Sequence, residues 1–468
     1  MTTSRRTQTW VLALAATASF MVVLDLLVVS TALSTIRRDL GASSEQLEWT
    51  VNAYTLSFAV LLMTASALGD RFGRRRVFAA GLALFGLASA ACALSPNVGT
   101  LIAARAVQGA GAATILPLAL AVLNTAFPPE RRGWAMGIYG GVTGLAALLG
   151  PVAGGAITQG ISWQWVFWLN VPIAALAIPF VLTRVPESFG PKARLDIRGL
   201  ALAAVAAFGV VWGLVRGNAA GWGSAEVLGS LLGGLAFGAA FVLAELRARS
   251  PMLPMQLFRS RAFSAGNATV FFWNASLTGA IYLMAQFLQV GLGYRPLAAG
   301  LGLLPWGVVP FLLAPRAGAL ADRVGARPLI AGGLALQTAG LAWIALVAGA
   351  DMAYGELVAP MTIIGLGVTM ALPALTKTVV GGVAMADIGK ASGAFSTLRQ
   401  LGAAFGVAVV VAVFAGAGGY GSPQAFTDGF IPAIGVAAGL AFLAAVGGRL
   451  LPGRAPADAP APAAATTT

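Results

Sequence analysis

The chain has no histidine and a single cysteine, Cys92, and only 10% of its 468 residues are charged. Each scarcity excludes a chemistry. One cysteine forbids an intrachain disulfide, and without histidine or a second thiol a metal site of His or Cys ligands has no ligand set. No G-x-x-x-x-G-K-[ST] segment is present to cradle nucleotide phosphates, which argues against an ATP-driven machine. Sixteen acidic residues leave little for an intramembrane enzyme. An aspartyl dyad needs two deep acids, and the sequence places only Asp25 well inside an apolar run.

What fills the chain instead is apolar. Hydrophobic residues make up 58% of it, mean hydropathy is +0.84, and runs of about twenty residues, the length that crosses about 30 Å of hydrocarbon, recur from end to end. A barrel would alternate apolar and polar over about ten residues, and that period is absent. The expected class is therefore an all-α polytopic membrane protein, with no metal or organic cofactor. Fourteen spans are predicted over 10–36, 47–69, 77–95, 98–126, 133–159, 164–183, 197–215, 225–244, 262–290, 297–319, 328–349, 355–379, 391–417 and 430–449. The first follows Arg5 and Arg6 but is too long for a secretory signal core, and continues past Asp25.

A net charge of +13 and a sequence pI near 11.1 would suggest nucleic acid in a soluble chain; here location gives the charge its meaning. With the N-terminus inside, twenty-three of the twenty-nine Lys and Arg residues fall on the cytoplasmic side, four fall outside (Arg37, Arg38, Arg216, Arg295), and Arg105 and Arg399 lie within spans. That asymmetry predicts both termini in the cytoplasm and the lipid bilayer as the basic partner, without nucleic acid and without an obligate protein partner. Abundant Ala and Gly suggest a bacterial genome rich in GC, hence a bacterial cytoplasmic membrane.

The chain also repeats itself. Residues 66–75 read S-A-L-G-D-R-F-G-R-R and residues 318–327 read G-A-L-A-D-R-V-G-A-R, sharing Ala, Leu, Asp, Arg, Gly and Arg at the same offsets. The repeat predicts two homologous halves with equivalent loops after spans 2 and 10. The organisation that follows is a six-helix bundle over 1–185, connectors and two inserted spans over 186–261, a second bundle over 262–451, and a disordered Ala/Pro/Thr-rich tail over 452–468.

Four further stretches accompany the repeat: Leu24-Asp25; Arg105-Ala106-Val107-Gln108-Gly109; Gly150-Pro151-Val152-Ala153-Gly154-Gly155; and Trp163-Gln164-Trp165-Val166-Phe167-Trp168-Leu169-Asn170-Val171-Pro172. Together these resemble the major facilitator superfamily, in particular its fourteen-helix drug:proton antiporters. The resemblance implies two pseudo-symmetric six-helix bundles plus two inserted helices. It also implies export of a lipophilic drug or antibiotic by alternating access, driven by protons. A proton-coupled importer, or an exporter of an endogenous metabolite on the same fold, is the alternative.

The candidate residues divide by role. A carboxyl deep in hydrocarbon costs at least about 2.5 kcal/mol, so Asp25 must find a partner, water or a proton, and such a group can load a proton on one side and release it on the other. Arg105 and Gln108, three residues apart on one helix face, are placed to tune that acid. Family likeness links Asp25 and Arg105 to proton coupling. Asp70, Arg71, Gly73, Arg74 and Arg75, with Asp322, Arg323, Gly325 and Arg327, form a candidate conformational latch. Asp70 and Asp322 lie against the unfavourable ends of their own helix dipoles, so each is expected to pair with a helix N-terminus of the opposite bundle, that of span 13 for Asp70 and span 5 for Asp322. Gly150 and Gly154 make a small-xxx-small surface around Pro151, and with Gly155 they match the family's antiporter motif. Asn274, Tyr282 and Gln286, in an aromatic stretch of span 9, and Arg399 in span 13 are candidate walls of a substrate cavity.

Overall fold

The computed structural model describes residues 4–190, 195–248, 251–381, 383 and 387–452, with backbone alone at 129 and over 314–323. Among the described residues there are thirteen helical spans long and apolar enough to cross a membrane, and one bent pair that completes a fourteenth. They are α1 (Arg5–Leu40), α2 (Ser44–Phe72), α3 (Arg74–Ala93), α4 (Val98–Ala126), α5 (Pro129–Gly160), α6 (Trp165–Arg184, interrupted at Leu169), α7 (Ile197–Ala220), α8 (Ala225–Arg247) and α9 (Arg261–Gly291, its last turn a π-helix). Then come α10 (Pro296–Gly302 and Leu304–Val324, bent by 42°), α11 (Ala326–Val347), α12 (Gly355–Gly381), α13 (Ile388–Ala417) and α14 (Pro423–Arg449). Fourteen crossings put the start of α1 and the end of α14 on one side, called here the terminal face.

Helix ends follow local chemistry. Ser43 and Gln46 close a capping box at α2, Asn97 and Ser422 cap α4 and α14, and Gly41 ends α1 in the left-handed region at φ 62°. Only one residue separates α2 from α3 and α10 from α11. Those residues are Gly73 (φ 105°) and Gly325 (φ 94°), and both lie where the sequence repeat puts them.

Packing repeats with an offset of eight helices. Within the first bundle α1 packs on α5, α2 on α4, α3 on α4 and α6; within the second α9 packs on α13, α10 on α12, α11 on α12 and α14. The bundles meet through two equivalent pairs, α2 with α13 and α5 with α10. Lipid tails are as apolar as leucine, so close backbone approach rather than hydrophobic burial holds such helices together. Glycines permit it: a methyl group on Gly109 would strike the Tyr54 carbonyl, and one on Gly406 the Ala275 carbonyl. Gly402, expected on the Arg399 face of span 13, likewise lies against the Phe271 carbonyl of α9.

The inserted helices behave differently from one another. α7 packs on α2 and α13 at once, with Leu56, Val211, Val215, Ala404 and Ala408 in one buried cluster, whereas α8 packs chiefly on α7 and buries only Val227, Gly234 and Glu245. Arg216 of α7 ties the pair to α2, reaching Glu45 at 3.3 Å and Glu226 of α8 at 2.9 Å.

The two ends of the bundle contact are unequal. On the face opposite the termini, Gly155 lies against the Pro296 carbonyl and Gly300 against the Pro151 carbonyl. There the Leu297 amide also donates to Gln159 Oε1 (3.2 Å), and Gln289 Nε2 donates to the Thr31 carbonyl (3.1 Å). Toward the terminal face, Gly133, Gly137, Gly140, Gly141 and Gly144 of α5 meet no neighbour, and of residues 131–141 only Ala135 and Tyr139 are buried. The bundles are sealed on one face and parted on the other.

Candidate functional site

Asp25, Arg105 and Gln108 come together in the first bundle. Arg105 Nη1 donates to Asp25 Oδ2 and to Gln108 Oε1, both at 2.6 Å, while Gln108 Nε2 donates to Asp25 Oδ1 at 2.8 Å. Arg105 Nε is fixed by the Thr50 carbonyl (3.0 Å), and its guanidinium lies 4.2 Å from the centre of the Tyr54 ring. Exposure of Asp25 and Arg105 is 1% each, so the pair is dry and screened little by salt.

Three contributors carried no assignment in the sequence. Asn170 Nδ2 donates to Asp25 Oδ1 at 2.8 Å, Ser89 Oγ accepts from Gln108 and Asn170, and Thr50 offers its backbone carbonyl. Asn170 stands in the Trp163–Pro172 motif, just after the break in α6, and a polar residue beside a helix break was a readable signal. Ser89 and the Thr50 carbonyl carry no such signal. Asp25 thus meets three donors from α4 and α6, and Arg105 Nη2 has no hydrogen-bond partner.

Asp25 is also not alone as a deep acid. Glu48 on α2 is 2% exposed. It is the second residue of the span predicted over 47–69, but α2 begins at Ser44 and is covered there by neighbouring helices.

The antiporter-motif glycines form a wedge. Gly150 lies against Leu27, Gly154 against Val28 and Thr31, and Gly155 and the Pro151 carbonyl against α10. α5 therefore touches α1 within two turns of Asp25 and, on its other side, the sealed contact between bundles.

The latch residues are arranged otherwise than expected. Asp70 lies in the last turn of α2 rather than in a loop, and its Oδ1 accepts from Arg74 Nε (2.8 Å) and Nη2 (2.7 Å). The expected partner, the N-terminus of α13, is not the one it takes. Arg74 lies just across the Gly73 turn, and α13 begins behind an acid of its own, Asp387. The second anchor is Glu187, after α6. It accepts from the Arg75 amide (2.9 Å) and lies 3.6 Å from the Nε atoms of Arg75 and Arg76; the Arg74 amide donates to the Ser188 carbonyl. Residues 187–190 thus dock on the first bundle. Arg71 lies 5.3 Å from the Phe72 ring, Arg327 is exposed, and the side chains of Asp322 and Arg323 lie outside the described residues. Glu187→Ala removes both the backbone bond and the ion pairs and is expected to cost about 1 kcal/mol, whereas Glu187→Gln, keeping an acceptor, should cost less. Thermal unfolding in detergent, read by tryptophan fluorescence, checks the order.

Of the cavity candidates, Asn274 donates to the Arg399 carbonyl at 2.7 Å. Tyr282 and Gln286 are buried in the sealed face rather than lining an open cavity. Much of the aromatic stretch packs inside the second bundle, Phe287 stacking on Phe430 at 4.1 Å. Arg399 makes no ion pair among the described residues and lies within electrostatic reach of Tyr139 of α5, whose hydroxyl bonds Ser19 Oγ at 2.7 Å. An apolar pocket of about 700 Å³ lies apart from this, between α2, α4 and α7, with Trp49, Leu61, Ile102, Phe208 and Trp212 in its wall.

Residues 15–407 match the model of the Major Facilitator Superfamily. The chain is a major facilitator. It is 39% identical over 432 residues to the cephamycin export protein CmcT of Amycolatopsis lactamdurans, covering 90% of this chain and 88% of that one. It is 36% identical over 456 residues to a puromycin resistance protein of Streptomyces alboniger (93% and 90% covered). Identity to the tetracenomycin C resistance and export protein of Streptomyces glaucescens is 34% over 419 residues (89% and 77% covered). Among solved structures, the inward-open xylose transporter XylE of E. coli superposes with a TM-score of 0.65 at 15% identity, over 96% of this chain and 97% of that one. A peptide transporter in complex with sulfate gives 0.67 at 18%, over 95% of each. At that identity the solved structures speak for the fold. As a member of this superfamily the facilitator is a transporter, and its helices cross a membrane.

Proposed function

We propose that this facilitator exports lipophilic drugs or antibiotics across a bacterial cytoplasmic membrane by alternating access, in exchange for protons that pass by way of Asp25. The kinship with export and resistance proteins supports the substrate class. The observation that carries the mechanism is mechanical: the buried Asp25 network lies on the helix that the α5 glycines grip, and α5 in turn forms the sealed contact with α10. Protonating Asp25 weakens its hold on Arg105, frees α1 to shift against Gly150 and Gly154, and biases the α5–α10 contact. The charge asymmetry makes the terminal face cytoplasmic, so the present arrangement faces inward. Arg399, unpaired among the described residues, gives the open side a positive pole.

Asp70, at the end of α2, fits the same cycle. With the cytoplasmic side parted, Asp70 holds Arg74 of its own bundle; closure of that side brings α13 within reach, and the latch engages. Asp70→Asn should then shift the inward/outward equilibrium, and an unchanged equilibrium would remove the latch from the account.

Weakly buffered detergent solution offers the direct test of coupling. Lipophilic cations and neutral antibiotics are added to the purified protein and pH is followed. Proton release by wild type on binding one compound supports exchange; binding without release from wild type would remove the proton from the mechanism. Energised everted vesicles settle direction, since accumulation of the compound inside them marks export.

A further inference from the structure

Glu48 has no part in the cycle so far, yet its setting is unusual for a carboxyl. It lies in the second turn of α2 near the extracellular face, and its one hydrogen bond is from Asn52 Nδ2, at 3.3 Å. No cation lies within ion-pair distance among the described residues. The charged groups on the elements packed against α2 are engaged elsewhere or lie at the other face, and Arg37 of α1 lies over the Tyr420 ring. On its own helix Glu45 is taken by Arg216 of α7; on α4, Arg105 is committed to Asp25; α3 keeps its arginines at the other face; and the outer half of α13, beyond Arg399, has no charged residue. What faces Glu48 from the second bundle is phenolic. Tyr282 of α9 and Tyr420, between α13 and α14, lie within its electrostatic reach. The Tyr420 hydroxyl donates to Gln286 Oε1 at 2.6 Å, with the Arg37 guanidinium 4.2 Å from its ring centre. Asn52 Oδ1 is buried without a hydrogen-bond partner among the described residues, and the Tyr282 hydroxyl is buried beside Gln286.

An ionised carboxylate cannot be held dry by one neutral amide. The same carboxyl is acceptable there as a neutral acid. We infer that Glu48 is a second proton-binding site, occupied when the two bundles are sealed on the extracellular side and emptied to the outside when they part. This rests on the alternating-access reading and adds an external control to it. Sealing takes up one proton from outside and opening returns it, so the proton at Glu48 never crosses the membrane. It sets how readily the gate closes. The sealed form binds one proton more than the open form, so acidifying the outside favours sealing, by up to tenfold per pH unit where Glu48 is ionised in the open form.

The test uses the full chain in nanodiscs, with spin labels on Pro96→Cys and Ala353→Cys, exposed positions on the extracellular loops of the two bundles, and the buried native Cys92 left in place. In the wild-type background the short-distance population should grow as pH falls. Glu48→Gln should be more sealed than wild type at every pH and keep only the pH dependence that Asp25 contributes, and Glu48→Asp should restore the steeper slope. Infrared difference spectra of the same samples should show a protonated-carboxyl C=O band in the sealed state that Glu48→Gln removes and Asp25→Asn leaves. A wild-type pH profile in Glu48→Gln, or the absence of that band, overturns the assignment. Gate movement that follows pH in a protein that exports none of the compounds would sink the drug-efflux reading and leave this one standing.

Discussion

Asp25→Asn should bind drug and release no protons, and it should unfold more readily by about 3–5 kcal/mol. The stability loss arises because the substitution leaves Arg105 charged, 1% exposed and without its anion. The Thr50 carbonyl and the Tyr54 ring still hold the guanidinium in place, so it cannot escape to water. Stability and coupling can be separated by adding Arg105→Gln. Removing the orphaned charge should recover much of the stability and none of the proton release. The measurements are the pH trace on drug addition and thermal unfolding by tryptophan fluorescence, on wild type and both variants. Proton release by the folded Asn variant would take Asp25 out of the coupling step and leave it a clamp between α1 and α4.

Gly155→Val should hold the extracellular side open and abolish resistance without preventing folding. Its side chain would meet the Pro296 carbonyl and the Leu297 backbone, and backbone cannot step aside as a flexible side chain can. Overpacking of this kind costs about 1–3 kcal/mol. The cost falls on the sealed state alone, so the balance moves toward the open one by roughly five- to 150-fold. Gly300→Val, on the other side of the contact against the Pro151 carbonyl, should do the same. Distance measurements between spin labels on the extracellular loops should lengthen for both. Labels that stay close in a folded Gly155→Val protein would show that α5 and α10 need not touch to seal.

Charges stranded in apolar runs were legible, because hydrocarbon gives a charge few solutions: Asp25, Arg105 and Gln108 meet each other. The equivalence of Gly73 and Gly325 was legible because only a repeated backbone bend needs glycine at the same offset. Partners that depend on which helix ends lie close were not. Asp70 needed compensation, as its helix dipole implies, but the Arg74 guanidinium four residues away answers that need. Asn170 and Ser89 are small polar residues, and nothing but proximity distinguishes them from others in the spans. Glu48 was hidden by position, since an acid one residue inside a predicted boundary reads as interfacial until the opposite bundle is laid over it.

α7 lies across α2 and α13, one of the two seams where the bundles meet, and among the described residues the α5–α10 seam has no such cover. The two seams between the bundles are therefore unlike: the inserted pair borders one, and among the described residues nothing borders the other. A compound taken from the leaflet at the terminal face would enter past the exposed half of α5, with the inserted pair standing at the other seam.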